Sequence, residues 1–414
     1  MNQAVGKPKH FIALDSWRGL CALMVALYHF PIGGWMDSNG LIANSRMFVD
    51  FFFVLSGFVI AANYAERLQT LEQFGKFAWL RIARLYPLHF AILLAFIGYE
   101  VAKLGWAMIQ TGAPGDAFTG PNDIHALVSN LFMTQGLGAT SELTWNWPSW
   151  SISTELMAYF TFAAIVSIFG RYKWIAFTAL ITISALVLVV FNDGEFLATY
   201  DFGLFRCYIG FFTGAIFYRA YRHAIANRGD GEQLKMATLV ETIAVAAVIL
   251  FVSAGANSAL TFTLPLIFGA CVFFFAFDQG AISRLLHKPI FTLLGALSYS
   301  MYMTHVFIID RMANIASFIQ SKTGWQMIET GDGSEFAFSV AGVPNELIAI
   351  AFLASVVAVS YATYHLIEVP CRNAARRMLK KPDVQAPSAM PETAAPQEIS
   401  GTAQILFPKP AREL

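Results

Sequence analysis

Two histidines, two carboxylates and a few arginines stand inside stretches otherwise apolar enough for hydrocarbon, and these are the residues that could do chemistry. Arg18 and His29 lie eleven residues apart in "DSWRGLCALMVALYHF". At 3.6 residues per turn that spacing returns almost to the same helix face, about 16 Å further along the axis. One face thus carries a cation at one end and an imidazole toward the other. Asp50 lies one turn into the next apolar run, "MFVDFFFVLSGFVI", and only a short loop separates the two runs. These helices are therefore expected to be adjacent and antiparallel, with Asp50 near the depth of His29. A carboxylate beside an imidazole holds its tautomer and stabilises the protonated ring, which is what a general base needs. Ser151 and Glu155 share a face at i and i+4 in "WNWPSWSISTELMAYF", and Ser298, Tyr302 and His305 form one stripe in "LSYSMYMTHVFIID". His29, Asp50, Glu155 and His305 come from four helices and are expected at similar depth, so their convergence is the candidate site. An ionised side chain at the bilayer centre costs roughly 2.5 to 3.5 kcal/mol, so such residues normally face a protein interior or a water-filled cavity. Arg81 and Arg84, one turn apart in "FAWLRIARLYPLHF", sit at the opposite surface, and paired guanidinium groups suit phosphate through bidentate, charge-assisted bonds.

The elements that must position these residues are membrane helices. The chain is 57% hydrophobic and 13% charged with mean hydropathy +0.55, outside the range of soluble globular proteins. The fold class expected is an all-α polytopic membrane protein of about ten transmembrane helices, near 15–33, 47–65, 85–104, 150–169, 173–191, 203–221, 237–254, 260–277, 291–311 and 346–367. With both termini cytoplasmic, nineteen Lys and Arg flank the spans on the inner side. Only Arg46, Lys103, Arg311 and Lys322 fall outside, which is the asymmetry the positive-inside rule requires. The first apolar run follows Lys7 and Lys9 without an A-x-A-like cleavage site and reads as an uncleaved first span. The stretch 105–149 lacks Lys and Arg and contains "IHALVSNLFM", too short to cross and expected as an outer-face helix at the interface. The division is a membrane domain over 1–381 and a Pro-, Ala- and Ser-rich disordered cytoplasmic tail over 382–414.

Zero formal net charge points away from nucleic acid, and four single cysteines indicate neither a disulfide framework nor a metal site. No G-x-S-x-G elbow or H-E-x-x-H occurs, so neither of those motifs marks a serine nucleophile or a zinc site here. Gly210 and Gly214 form a G-x-x-x-G that brings helices close. Two alternatives stand beside the catalytic reading. Asp50 and Glu155 could pair structurally with Arg206 of "LFRCYIG". The buried charges could also line the path of a transporter or channel.

Six pieces in order, Arg18 to His29, "FVDFFFVLSGFVI" (48–60), "RIARLYP" (81–87), "WSISTE" (150–155), "LSYSMYMTH" (297–305) and "IEVPCR" (367–372), resemble the acyltransferase-3 family of integral-membrane acyltransferases. The resemblance covers about residues 11–377 and implies about ten core helices in the inner (cytoplasmic) membrane. It also implies O-acylation, most often acetylation, of an extracytoplasmic saccharide such as exopolysaccharide or O-antigen. The donor would be cytosolic acyl-CoA (acetyl-CoA), a co-substrate rather than a bound cofactor. The partners would be a saccharide or lipid-linked polysaccharide acceptor, membrane lipid and polysaccharide-assembly proteins. Carried over, His29 is the catalytic histidine, Asp50 its acidic companion and Glu155 the family's acidic position. Arg18, Arg81, Arg84 and Tyr86 are expected on the donor side, and Trp150, Ser151, Ser153, Tyr302 and His305 on the acceptor side. No soluble hydrolase-like domain is expected beside the membrane domain, in contrast to the larger members.

Overall fold

The computed structural model describes residues 10–227, 236–255, 258–330 and 336–379. Ten helices of twelve residues or more occur among them: α1 (Ile12–His29), α2 (Phe48–Tyr64), α3 (Leu71–Thr111), α4 (Trp150–Phe169), α5 (Lys173–Phe191), α6 (Gly203–Ala226), α7 (Ala237–Ala254), α8 (Leu264–Phe275), α9 (Pro289–Thr323) and α10 (Asn345–Thr363). A π-helical turn, Tyr364–Glu368, joins α10 to a last helix, Val369–Met378. Six helical stretches are long and apolar enough to cross a membrane, one of which takes in both α4 and α5. The tail expected beyond 381 lies outside the described residues, as do Lys7, Lys9, Arg228, Lys235, Lys380 and Lys381.

Two helices are longer than their apolar patterns. The third was expected over 85–104, yet α3 runs 41 residues, about 60 Å and twice the hydrocarbon thickness. Its start is a capping box that hydropathy does not register. Thr70 accepts from the Gln73 N–H at 3.2 Å while the Gln73 side chain accepts from the Thr70 N–H at 3.1 Å. Its end is Gly112, left-handed at φ 70°. Helix α9 likewise runs 35 residues, to Thr323. It leads into a hairpin absent from the sequence reading, in which β1 (Ile328–Thr330) pairs antiparallel with β2 (Phe336–Phe338) and Ile328 faces Phe338. The Phe338 N–H donates to the Pro31 carbonyl at 2.8 Å and its ring stacks on Phe30 at 4.8 Å, so the hairpin covers the chain just past His29. The short piece in the 105–149 stretch forms Ile124–Leu131, capped by Asp123, with Ala126, Ser129 and Asn130 buried and Ile124 and Val128 exposed.

Glycine decides which helices touch most closely. A side chain at Gly57 would meet the Phe211 backbone, and one at Gly214 the Val54 backbone, so α2 and α6 approach main chain to main chain. Gly19 and Gly295 do the same for α1 and α9, each abutting the other helix's backbone. Pairings of Arg18 with Ser298 and of His29 with His305 show that α1 and α9 run parallel. Ring contacts Phe11–Phe58 and Trp17–Phe51 show α1 and α2 antiparallel, as the short loop between them requires.

Candidate active site

Close packing of α1 on α9 places the two functional ends of α1. At one end the Arg18 guanidinium donates to the Ser298 hydroxyl at 2.8 Å and the Gly295 carbonyl at 3.2 Å, and pairs with Asp15 at 3.1 Å. At the other, His29 Nδ1 lies 3.0 Å from His305 Nε2, and His305 Nδ1 lies 3.2 Å from the Met301 carbonyl. Trp147 stands edge-on to the His29 ring, centroids 4.4 Å apart. His305 is fully buried and His29 half-buried. The start of α4 is tied to this pair through α9. Tyr302 and Ser151 share a hydroxyl contact at 2.7 Å, the Tyr302 hydroxyl donates to the Pro148 carbonyl at 3.0 Å, and the Asn146 amide donates to the Met303 carbonyl at 3.0 Å.

Asp50 is not the companion of His29. Its carboxylate takes a two-pronged bond from Arg206, Nε at 3.0 Å and Nη2 at 2.8 Å, with Asp50 0% and Arg206 2% exposed. The third Arg206 nitrogen, Nη1, donates to the Ala198 carbonyl at 3.0 Å, and the guanidinium lies 5.4 Å from the Trp150 ring. The reason is helix rotation. The glycine-mediated contact of α2 with α6 turns Asp50 toward α6, and a wholly buried carboxylate needs a counter-charge. Glu155 stands apart again, accepting from Ser56 at 2.5 Å and from the Tyr159 hydroxyl. Thus the four ionisable groups expected together form three separate clusters, joined among the described residues by no hydrogen bond or ion pair.

Toward the Arg18 end, a cavity of about 640 Å³ is lined by Arg18, Arg67, Arg81, Arg84, Arg372 and Arg376, with Asp15 and Glu368 as its acids. A narrower space of about 80 Å³ shares Arg18, Arg81, Arg84, Ser298 and Tyr299 with it and reaches Glu155, Ser151 and Tyr302. It ends one side chain short of the histidines: Tyr302 lines it, and the Tyr302 and His305 rings are 5.8 Å apart. Arg81 is ringed by Tyr64, Phe77 and Tyr159 at 5.5 to 5.8 Å and keeps a buried Nε without a partner. The Arg372 Nε is likewise unpartnered, and Arg84 makes no hydrogen bond or ion pair among the described residues. Arg84 lines the cavity without a protein partner among the described residues, and a guanidinium so placed can hold a phosphate-rich anion.

Arg18, Arg81 and Arg84 therefore line both spaces and Ser151, Glu155 and Tyr302 the narrow one, whereas Tyr86, Trp150 and Ser153, like His29, Asp50 and His305, line neither. Tyr86 donates to the Leu131 carbonyl at 3.0 Å, Trp150 packs on Arg206 and Phe53, and Ser153 bonds the Gly136 N–H at 2.9 Å. Each of these three is held by packing or backbone bonds on the far side of its helix. The sequence reading missed Trp147 over His29, Ser56 and Tyr159 around Glu155, and Arg372 and Glu368 in the vestibule. Tyr159 had a signal, since it follows Glu155 at i+4, and Ser56 lies inside the quoted "FVDFFFVLSGFVI" as Glu368 and Arg372 lie inside "IEVPCR"; Trp147 had none.

Comparison with known proteins adds two matches. The acyltransferase domain family matches residues 11–365. A protein described as protein 2 in the picA locus of Rhizobium radiobacter is 32% identical over 202 residues, covering 44% of this chain and 95% of that protein. No solved structure matches the chain.

Proposed function

Starting from a chain that belongs to the acyltransferase-3 family and builds a multi-pass membrane protein, we propose that it is an O-acyltransferase of the inner membrane. Its donor is acyl-CoA from the cytosol, acetyl-CoA by preference, and its acceptor is a hydroxyl of an extracytoplasmic saccharide such as exopolysaccharide or O-antigen. Ten crossings with both termini cytoplasmic put the arginine-lined vestibule at the cytosolic face and His29 in the outer half. This is also the orientation that the Lys and Arg distribution favours.

The observation that carries the reading is the shape and charge of one passage. A wide chamber lined by six arginines narrows past Arg81 and Arg84 into a slot leading toward Tyr302 and the histidine pair. In this reading the nucleotide diphosphate of the donor occupies the chamber, with Arg81, Arg84 and Arg18 toward its phosphates, and the thin pantetheine arm occupies the slot. The thioester then arrives near His29. His29 takes the proton of the acceptor hydroxyl as its oxygen attacks the thioester carbonyl carbon, and the thiolate leaves toward the chamber. Glu155, held by Ser56 and Tyr159, lines the route. The Asp50–Arg206 pair locks α2 to α6 behind it.

The test compares cell-envelope and secreted glycans from cells with and without the protein by mass. Loss of an ester-linked acyl group is the expected result. Purified protein should also bind CoA with an affinity that falls when Arg81 and Arg84 are replaced. Unchanged glycan mass together with no CoA binding would point instead to solute passage through the same cavity.

A further inference from the structure

The imidazole pair at the outer end of α1 and α9 has a direction. His305 Nδ1 faces the Met301 carbonyl, and a carbonyl oxygen only accepts, so that nitrogen carries the proton. In a neutral ring Nε2 is then bare, and it faces His29 Nδ1 at 3.0 Å. The proton in that contact must belong to His29 Nδ1, which leaves His29 Nε2 with its lone pair. This nitrogen makes no hydrogen bond to the described residues and is not sealed off. The two ring planes lie 11° apart with centroids separated by 5.1 Å, close to the 3.0 Å N···N contact plus a ring radius on each side, so the rings meet edge to edge and the N–H and the lone pair point at one another. His305 cannot easily turn, being fully buried and held at Nδ1, and Trp147 braces His29 from the side.

We infer that His305 is a positioning residue that sets the tautomer of His29, in the place where a carboxylate more often stands. The relay runs from the Met301 carbonyl through His305 to His29 and aims Nε2 at the acceptor. Its chemistry rests on the acyl-transfer reading. As the acceptor oxygen bonds to the thioester carbonyl carbon, its proton moves to His29 Nε2. The carbon–sulfur bond breaks, and the departing thiolate takes that proton back. Through both steps Nδ1–H remains donated to His305, which shares the positive charge that His29 holds in between. Two neutral rings also suit an apolar surrounding better at rest than a buried carboxylate, which would need a cation of its own.

Two measurements on full-length protein in lipid nanodiscs test this. The first reads tautomers by nitrogen-15 NMR of histidine-labelled protein, with His29 assigned from its loss in His29→Gln. The expected state is Nδ1 protonated and Nε2 bare, disturbed in His305→Phe. The opposite tautomer, or a His29 signal indifferent to His305→Phe, overturns the inference. The second follows thiol release from acetyl-CoA. His305→Phe should lower kcat about 10²-fold with KM within about twofold, whereas His305→Gln, whose amide oxygen still accepts from His29 Nδ1, should regain about tenfold. Equal losses in the two variants, or none in either, overturn the inference. If wild-type protein releases no thiol while the tautomer is as expected, the donor assignment has failed and the histidine pair stands.

Discussion

Removing Arg206 while keeping Asp50 separates a structural from a catalytic reading of that carboxylate. The pair is bidentate at 2.8 and 3.0 Å and almost wholly buried. With charge centres about 4 Å apart and an effective dielectric near 20, the attraction is about 4 kcal/mol. Taking away one partner of a buried pair costs about 3 to 5 kcal/mol, because the other is left charged or protonated without compensation. Arg206→Met should therefore destabilise by about that amount, and so should Asp50→Leu. The double variant Asp50→Leu with Arg206→Met should recover most of the loss, since matched apolar replacements of a buried pair are often neutral. The assay is equilibrium unfolding in mixed detergent micelles, combined in a double-variant cycle whose coupling term reports the pair directly. The assignment also predicts that acyl transfer per folded molecule survives in the double variant. If Asp50→Asn unfolds at the wild-type midpoint yet loses turnover, the carboxylate acts on chemistry rather than on α2–α6 packing, and the structural account of Asp50 is refuted.

Arg84→Ala should weaken CoA binding by tenfold or more, since a charge-assisted hydrogen bond is worth about 1.5 to 3 kcal/mol; titration calorimetry with CoA checks it, and an unchanged Kd removes Arg84 from the donor site. His29→Ala should abolish the acyl ester on surface or secreted glycan while leaving membrane-extracted protein folded, and glycan acylation at the wild-type level in that strain would exclude His29 from the mechanism. Gly57→Ala sets a methyl against the Phe211 backbone, which cannot yield as a side chain can. It should cost about 1 to 3 kcal/mol of stability, read as a lowered unfolding midpoint; wild-type stability would mean that α2 and α6 are not in main-chain contact.

Much of the architecture was legible because a bilayer imposes it locally. Apolar runs of fixed length and the small residues Gly210 and Gly214 each report on a single helix or its immediate neighbour. So was the face of α9, on which Ser298, Tyr302 and His305 do lie in line, and so was the pairing of Arg81 and Arg84 on one face of α3, where both line the cavity. The true length of α3 was written in "TLEQ", but as a cap rather than as hydropathy. What only the tertiary structure decided is which buried charge meets which. Depth along a helix follows from counting residues, but rotation about its axis follows from where two backbones can close, and that depends on residues of both helices at once. Gly57 and Gly214 turn Asp50 to Arg206, while Gly19 and Gly295 bring His29 to His305, so the carboxylate expected beside the imidazole went to an arginine and a second imidazole took its place.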